Sequence, residues 1–394
     1  MKLKRPAKSL FWNLISLSLI AVGVVAVLCA GAEHLAGWYF KPPVIHVEAP
    51  NRSCFVLDDP STGVRGVPNC RVDYSAREFG DVQYRFDANG YRNPRAMDQL
   101  DPHAFRIVMT GSSVAFGEFV PESETIAARL PVLLTHETGH PIELYDEGLP
   151  FGFTHSIALR FHDVLAARPN LVLWIVSNSD VRFASQVLLP HLKPVSESLI
   201  KDKILRCLEN RPGETTCLQA AAANLRASKV GNAMQYMINP SPTEYEKSWL
   251  AGPDREQGFL KAAPTRFWRD SLLQFDHDVA FIADQTKSHG VPLVVVYLPF
   301  RVQADMIASG QWPSGYDPYW LDFQLRSIVT SHGGIYLDTL SGLKGVMSVD
   351  KDYFPVDTHP NAQGAALFSR QIAEQLTSGE IPYLRANTET GAGK

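Results

Sequence analysis

The chain has no excess of positive charge: 37 Lys and Arg stand against 41 Asp and Glu, a formal net charge of -4 over 394 residues. Without a basic field there is no electrostatic footprint for nucleic acid, and that class of partner is set aside. Internal repeats and low-complexity tracts are absent as well. Cysteine is scarce, with five in all. Cys29 falls in an apolar stretch, and the other four form two local pairs, Cys54 with Cys70 and Cys207 with Cys217. Leu28 is too large for the small residue that usually precedes a lipoprotein cysteine. In an exported domain the two pairs are disulfide candidates, and each closed loop contributes roughly 3 kcal/mol if unstrained.

Charge is also missing from Ser9 to Ala32, a run rich in Leu, Ile, Val and Ala that is long enough to cross a bilayer as one helix. Lys2, Lys4, Arg5 and Lys8 precede it and place that end in the cytoplasm. Trp12, Trp38 and Tyr39 suit the two interfaces. The expectation is a single-pass anchor over residues 1–40 in a bacterial inner membrane, with the rest of the chain facing the periplasm or the cell exterior. A cleaved signal peptide is the alternative, since Ala30-Gly31-Ala32 is an acceptable cleavage site.

Residues 41–105 contain many turn formers and few long apolar runs, which predicts an irregular or β-rich extension. Val82 to Phe86 alternates like a half-buried strand and runs into Asp87-Ala88-Asn89-Gly90, a turn sequence. From Arg106 short apolar strands alternate with helical patterns. The strands are Ile107 to Thr110, Ile142 to Tyr145, Leu171 to Val176, Leu293 to Leu298 and Ile335 to Leu337. Helices are predicted over Ser123 to Leu134, His155 to Ala167, Trp268 to Ser288, Trp320 to Ser331 and Asn361 to Leu376. Fully apolar strands separated by helices indicate a three-layer α/β fold, a parallel sheet covered on both faces in a flavodoxin-like order. Such a sheet puts its functional site at the carboxyl ends of the strands. The domain spans 106–383, and the tail over 384–394 reads as disordered. A mostly helical insertion over about 182–266 leaves from the end of the third strand, either as a structural excursion or as a wall of the site. It carries helical stretches from Ser196 to Asn210 and from Leu218 to Lys229.

Two segments hold residues suited to nucleophilic catalysis. Gly111-Ser112-Ser113 directly follows the first core strand, where the glycine permits a tight turn and Ser113 is presented at the strand end. Asp357-Thr358-His359-Pro360-Asn361 precedes the last helix. Serine attacks only when a base takes its proton, and histidine serves best when a carboxylate fixes its tautomer. Pro360 biases His359 toward extended backbone, in which Asp357 and His359 share a face. The bland alternative is a helix cap with a surface histidine. A second pattern, His136-Glu137-Thr138-Gly139-His140, matches a zinc-protease motif, but Gly139 and Pro141 mark a helix end rather than one continuous face. No metal is expected there.

The segment Gly111-Ser112-Ser113-Val114-Ala115-Phe116-Gly117 resembles the first block of the SGNH (GDSL-like) hydrolase family, with Ser112 in place of the usual aspartate. Upstream, Asp87-Ala88-Asn89-Gly90-Tyr91-Arg92 resembles the Asn-x-x-Gly-Phe-Arg segment of membrane-anchored bacterial members. The resemblance covers roughly residues 106–376 without the insertion. It implies that Gly148, after the second strand, offers an N–H to an oxyanion. In the third block either Asn178, one residue early, or Ser179, in the family's place, completes that site. The final block resembles Asp-x-x-His, with Asp357 one residue closer to His359 than usual. The implied activity is ester hydrolysis through an acyl-enzyme on Ser113, with His359 as base and acid, Asp357 orienting it, and the oxyanion held by Ser113 N–H, Gly148 and Asn178. No cofactor is implied. The implied substrates are acyl esters, such as O-acetyl groups on envelope or extracellular polysaccharide. Two other readings remain open at this level: an O-acetyltransferase working with a membrane acyl donor and polysaccharide-synthesis partners, or a non-catalytic domain that binds glycan or scaffolds an envelope complex.

Overall fold

The computed structural model describes residues 7–39, 44–48, 53–59, 61–184 and 229–386. The Cys207 and Cys217 pair, most of the helical part expected in the insertion and most of the polar tail lie outside the described residues. The chain divides into two compact units, Met1–Pro43 with Pro194–Ile238, and Val44–Lys193 with Asn239–Lys394.

In the first unit the helix Ala7–Tyr39 follows from an apolar run with no proline to interrupt it. Its stretch Leu19–Trp38 is long and apolar enough to cross a membrane, and Leu19, Val22, Leu28 and Trp38 are exposed. A second helix, Lys229–Ile238, meets it in this unit, where the Val230 N–H donates to Glu33 Oε2 at 3.0 Å.

The second unit begins with β1 (Val44–Glu48), β2 (Phe55–Asp59), β3 (Gly63–Gly66), β4 (Arg71–Ala76) and β5 (Gly80–Arg85). β1, β4 and β5 form an antiparallel sheet, and β2 and β3 form a ribbon. A disulfide joins Cys54 to Cys70 and so ties the ribbon to the start of β4. Alternation in β5 buries Val82 and Tyr84. Tyr84 and Phe86 then pack on Phe116, with ring centroids 4.8 and 5.9 Å apart.

The larger sheet comprises β6 (Phe105–Gly111), β7 (Ile142–Asp146), β8 (Leu171–Val176), β9 (Leu293–Tyr297) and β10 (Ile335–Leu337), in the order β10-β9-β8-β6-β7, all parallel. This is the flavodoxin-like arrangement expected from the sequence. Every residue of β8 and β9 is buried, which is why these strands read as unbroken apolar runs. The helices Ile126–Thr138 and Ala362–Leu376 pack together, while Arg266–Ser288 packs with Thr154–Leu159, Asn178–Arg182 and Trp320–Ser331. The chain reverses direction across the sheet between β6 and β8, so a crevice opens at their carboxyl ends.

Three local departures from expectation have visible causes. The helix expected from His155 to Ala167 is split into Thr154–Leu159 and Phe161–Ala166. Arg160 at the break is buried and donates from Nη1 to the Glu147 carbonyl at 2.8 Å. An unexpected helix, Arg301–Ser309, buries Arg301, Gln303 and Asp305, so its sequence does not look like a core element. Past Ile238 the expected insertion rejoins the second unit, where Tyr245, Phe259 and Leu260 are buried in its core.

Candidate active site

β6 ends at Gly111, and the four-residue helix Ser113–Phe116 starts at once. A side chain at Gly111 would bring its Cβ within 2.5 Å of the Ile175 carbonyl on β8, so only glycine lets the strand turn here. The turn delivers Ser113 into the crevice. From the far end of the chain, Tyr353 to Asn361 folds back over the strand ends. There Arg301, just past β9, donates to the Pro355 carbonyl at 2.8 Å, and the Tyr353 hydroxyl donates to the Pro299 carbonyl at 2.9 Å. Asn361 caps the last helix by accepting from the N–H groups of Gln363 and Gly364.

The two segments meet. Ser113 Oγ lies 2.7 Å from His359 Nε2, and His359 Nδ1 lies 2.6 Å from Asp357 Oδ1. An ionised carboxylate can only accept, so Nδ1 carries a proton, and when the ring is neutral Nε2 accepts from the serine hydroxyl. The route to this geometry differs from the one expected. Asp357 and His359 are not two alternate residues of an extended stretch, because Thr358 between them has φ of 75°. This left-handed residue makes a turn in which Asp357 Oδ1 also accepts the His359 backbone N–H at 3.2 Å. A β-branched residue rarely adopts that conformation, and such strain costs of order 1–3 kcal/mol. The Thr358 N–H bond to the Phe354 carbonyl at 3.0 Å helps to hold it.

Burial works against a charged His359, but the adjacent Asp357 charge and hydrogen bond, with Glu118, outweigh it and push the imidazole up to about 9. Glu118 was not singled out by sequence. Its Oε2 stands 3.6 Å from Nε2, on the serine side of the ring. Burial raises the Glu118 carboxyl above the usual carboxylate range, with the Asp357 charge adding to the rise and His359 opposing it.

Gly148 requires a correction. Its N–H, expected to face an oxyanion, donates instead to the Asp146 carboxylate at 2.7 Å. What the position needs from glycine is space, since a Cβ would lie 2.5 Å from the Phe116 backbone nitrogen. Gly148 thus lets the helix Ser113–Phe116 settle onto the end of β7. Burial pushes the Asp146 carboxyl up to about 8 despite that N–H and the nearby Arg92 and Arg160.

Asn178 and Ser179 both begin the helix after β8. Asn178 is buried and its Oδ1 has no hydrogen-bond partner among the described residues, so that amide oxygen is not engaged by the fold. Ser179 is more accessible. Ser112, in the place of the aspartate of the SGNH motif it resembles, donates to Asp180 Oδ2 at 3.0 Å, and Ser177 adds its N–H at 2.8 Å and its hydroxyl at 2.7 Å. This buried knot fastens the end of β6 to the end of β8.

The β extension reaches the same place. Glu78, in the turn between β4 and β5, accepts the N–H groups of Val356 and Asp357 at 2.7 and 3.1 Å. Phe79 beside it stacks on Phe119 with centroids 3.8 Å apart, and Phe119 lies edge-on to the His359 ring at 6.3 Å. Arg92, the last residue of the segment noted upstream, donates to the carbonyls of Phe116, Gly117 and Val120 at 3.0, 2.8 and 2.7 Å. Sequence offered a signal only for Arg92, through its motif. The roles of Glu78 and Glu118 depend on contacts across the whole fold.

The His-Glu-x-x-His segment is used otherwise. The helix ends at Thr138 with Gly139 as its left-handed cap, so the two histidines do not share one face. His140 lies against the ring of Tyr383 at 5.0 Å, and Glu137 accepts from the Thr377 hydroxyl at 3.0 Å.

No family model matches the chain, and no curated protein matches it. Among solved structures it is similar to GDSL lipolytic hydrolases. A lipase/acylhydrolase from Enterococcus faecalis is 11% identical, with a TM-score of 0.38, over 69% of this chain and 94% of that one. A lipolytic protein of the G-D-S-L family from Desulfitobacterium hafniense is 13% identical, with a TM-score of 0.31, over 68% and 99%. A psychrotrophic esterase from Pseudoalteromonas sp. is 10% identical, with a TM-score of 0.34, over 68% and 95%. The fold class rests on the chain's own sheet order.

Proposed function

We propose that this protein is a serine acyl-ester hydrolase of SGNH type that works through an acyl-enzyme on Ser113. The observation that carries this reading is the unbroken relay from Ser113 Oγ to His359 Nε2 at 2.7 Å and from Nδ1 to Asp357 at 2.6 Å. In the reaction the Ser113 oxygen attacks the ester carbonyl carbon while Nε2 takes the hydroxyl proton. Nε2 then returns that proton to the departing alkoxide. Water repeats the sequence against the acyl-enzyme, and Asp357 steadies the imidazolium throughout. The Ser113 N–H and the Asn178 amide are the oxyanion donors in this reading, and one such donor is worth ~3 to 4 kcal/mol of transition-state stabilisation. No cofactor enters the scheme.

The apolar helix over Leu19–Trp38 supports an inner-membrane anchor, and Lys2, Lys4, Arg5 and Lys8 ahead of it favour a catalytic unit on the periplasmic or outer side. A hydrolase held there meets acylated carbohydrate of the envelope, and O-acetyl esters on such polysaccharide are the proposed substrates. The test is covalent labelling of the full chain in detergent by a fluorophosphonate, with Ser113→Ala as the control. Wild-type protein should label and the variant should not. A folded wild type that resists the probe at every pH would remove the reading.

A further inference from the structure

We infer that Glu118 is a second carboxylate of the reaction centre, which faces Nε2 of His359 and holds the base charged, so that it sets the pH above which Ser113 can be activated. The inference rests on the hydrolase reading above and deepens it.

The geometry is the first support. Glu118 Oε2 stands 3.6 Å from Nε2, the atom that must accept the serine proton, whereas Asp357 occupies the opposite nitrogen. A side-chain shift of about 1 Å brings the carboxylate to hydrogen-bond length. Both partners are largely withdrawn from solvent, with side-chain exposures of 23% for His359 and 18% for Glu118.

The second support is how firmly the backbone around Glu118 is held. Gly117 and Phe119 on either side both have positive φ, 70° and 61°. For phenylalanine that is a strained position, and such strain persists only where the surroundings impose it. Here they do: Arg92 binds three carbonyls of residues 116–120, the Phe119 N–H donates to the Tyr84 hydroxyl at 2.7 Å, and the Glu118 N–H donates to the Ser113 carbonyl at 3.0 Å. None of these bonds uses the Glu118 side chain.

The groups facing the pair set the charge balance. Tyr74 on β4 and Tyr84 on β5 face Glu118, and burial, with the Glu118 charge adding to it, raises both phenols, so they stay neutral. Asp357 faces the far side of the imidazole. Arg92 lies over the Tyr84 ring at 4.5 Å and is engaged with carbonyls, and Glu78 is engaged with the N–H groups of Val356 and Asp357. The stable arrangement is therefore imidazolium beside two carboxylates, in which Nε2 cannot accept a proton. The Ser113 proton is taken only by the fraction of imidazole that is neutral, and Glu118 keeps that fraction small until pH rises through the midpoint.

The experiment follows the imidazole in two ways on the full chain in detergent: NMR titration of the His359 ring nitrogens, and the pH dependence of fluorophosphonate labelling. Glu118→Gln should lower the NMR midpoint and the acid limb of labelling by roughly one unit, the shift typical of losing an opposite charge at this range. Below the midpoint its labelling should be roughly tenfold faster than wild type, because about ten times more imidazole is neutral. A merely structural role would slow labelling at every pH. Glu118→Asp keeps the charge and should keep the high midpoint. Midpoints identical in wild type and Glu118→Gln would overturn the inference. Should wild type fail to label at all, the hydrolase reading falls, and the NMR titration still decides whether Glu118 holds the charge on His359.

Discussion

Asp357→Asn isolates what the acid of the relay contributes. Asp357 Oδ1 accepts both the imidazole Nδ1–H at 2.6 Å and the His359 N–H at 3.2 Å, while Glu78 holds the Asp357 N–H without involving that side chain. Asparagine has the same shape and can leave its carbonyl oxygen on the His359 N–H, so the turn at Thr358 persists. Its amide nitrogen then faces Nδ1. Two donors cannot bond, and the ring answers by moving its proton to Nε2. That proton points at Ser113 Oγ, 2.7 Å away, and the base is lost. Both side chains keep 23% of their surface exposed, so screened attraction is the smaller effect and the tautomer decides the outcome. At Ser-His-Asp sites the wrong tautomer costs about 10⁴ in kcat, which corresponds to about 5 kcal/mol. Hydrolysis of p-nitrophenyl acetate by the full chain measures the loss, and urea unfolding should show a change below about 2 kcal/mol. Retention of more than one-tenth of wild-type activity by a folded Asp357→Asn would refute this account of the acid.

The pH dependence follows from the position of His359 near 9, above its ordinary 6.5. Its folded value is the higher one, so its charge interactions stabilise the fold fully below pH 6.5 and are lost as pH rises through 9. The stability difference between wild type and His359→Gln should therefore shrink across that window in urea titrations, while the esterase rate rises toward pH 9 as the base becomes neutral. Replacing Cys54 and Cys70 by alanine opens a loop of sequence separation 16 and should lower unfolding stability by roughly 3 kcal/mol, read by denaturant midpoint.

The sheet was legible because strands buried on both faces must be apolar throughout, as Leu171 to Val176 is. Ser113 was legible for a related reason: a glycine ending such a strand marks a turn over the crevice. The carboxylate and imidazole of Asp357 and His359 were legible as neighbours, but the path between them was not. Pro360 does favour extended backbone for His359, yet the turn is made by Thr358, and nothing in a threonine announces a left-handed conformation. Gly148 was placed correctly and given the wrong task, although Asp146 two residues earlier is the kind of side chain that takes a following N–H. Serine at 112, where SGNH hydrolases carry aspartate, becomes intelligible once Asp180 is seen beneath it. Glu118 reads as a solvated loop residue until the last segment of the chain folds over it.

The bracing by the β extension ties local opening to function. Tyr84 and Arg92 hold the loop behind Ser113, and the hairpin turn at Glu78 holds the Asp357 loop. Breaking the β4–β5 pairing therefore releases both halves of the relay in one sub-global event, without unfolding the parallel sheet. In amide hydrogen exchange, the β4–β5 hairpin, residues 116–120 and residues 355–359 should therefore open as one cooperative unit. The geometry that joins Ser113, His359 and Asp357 is then only as durable as a small antiparallel sheet that contributes none of those three residues.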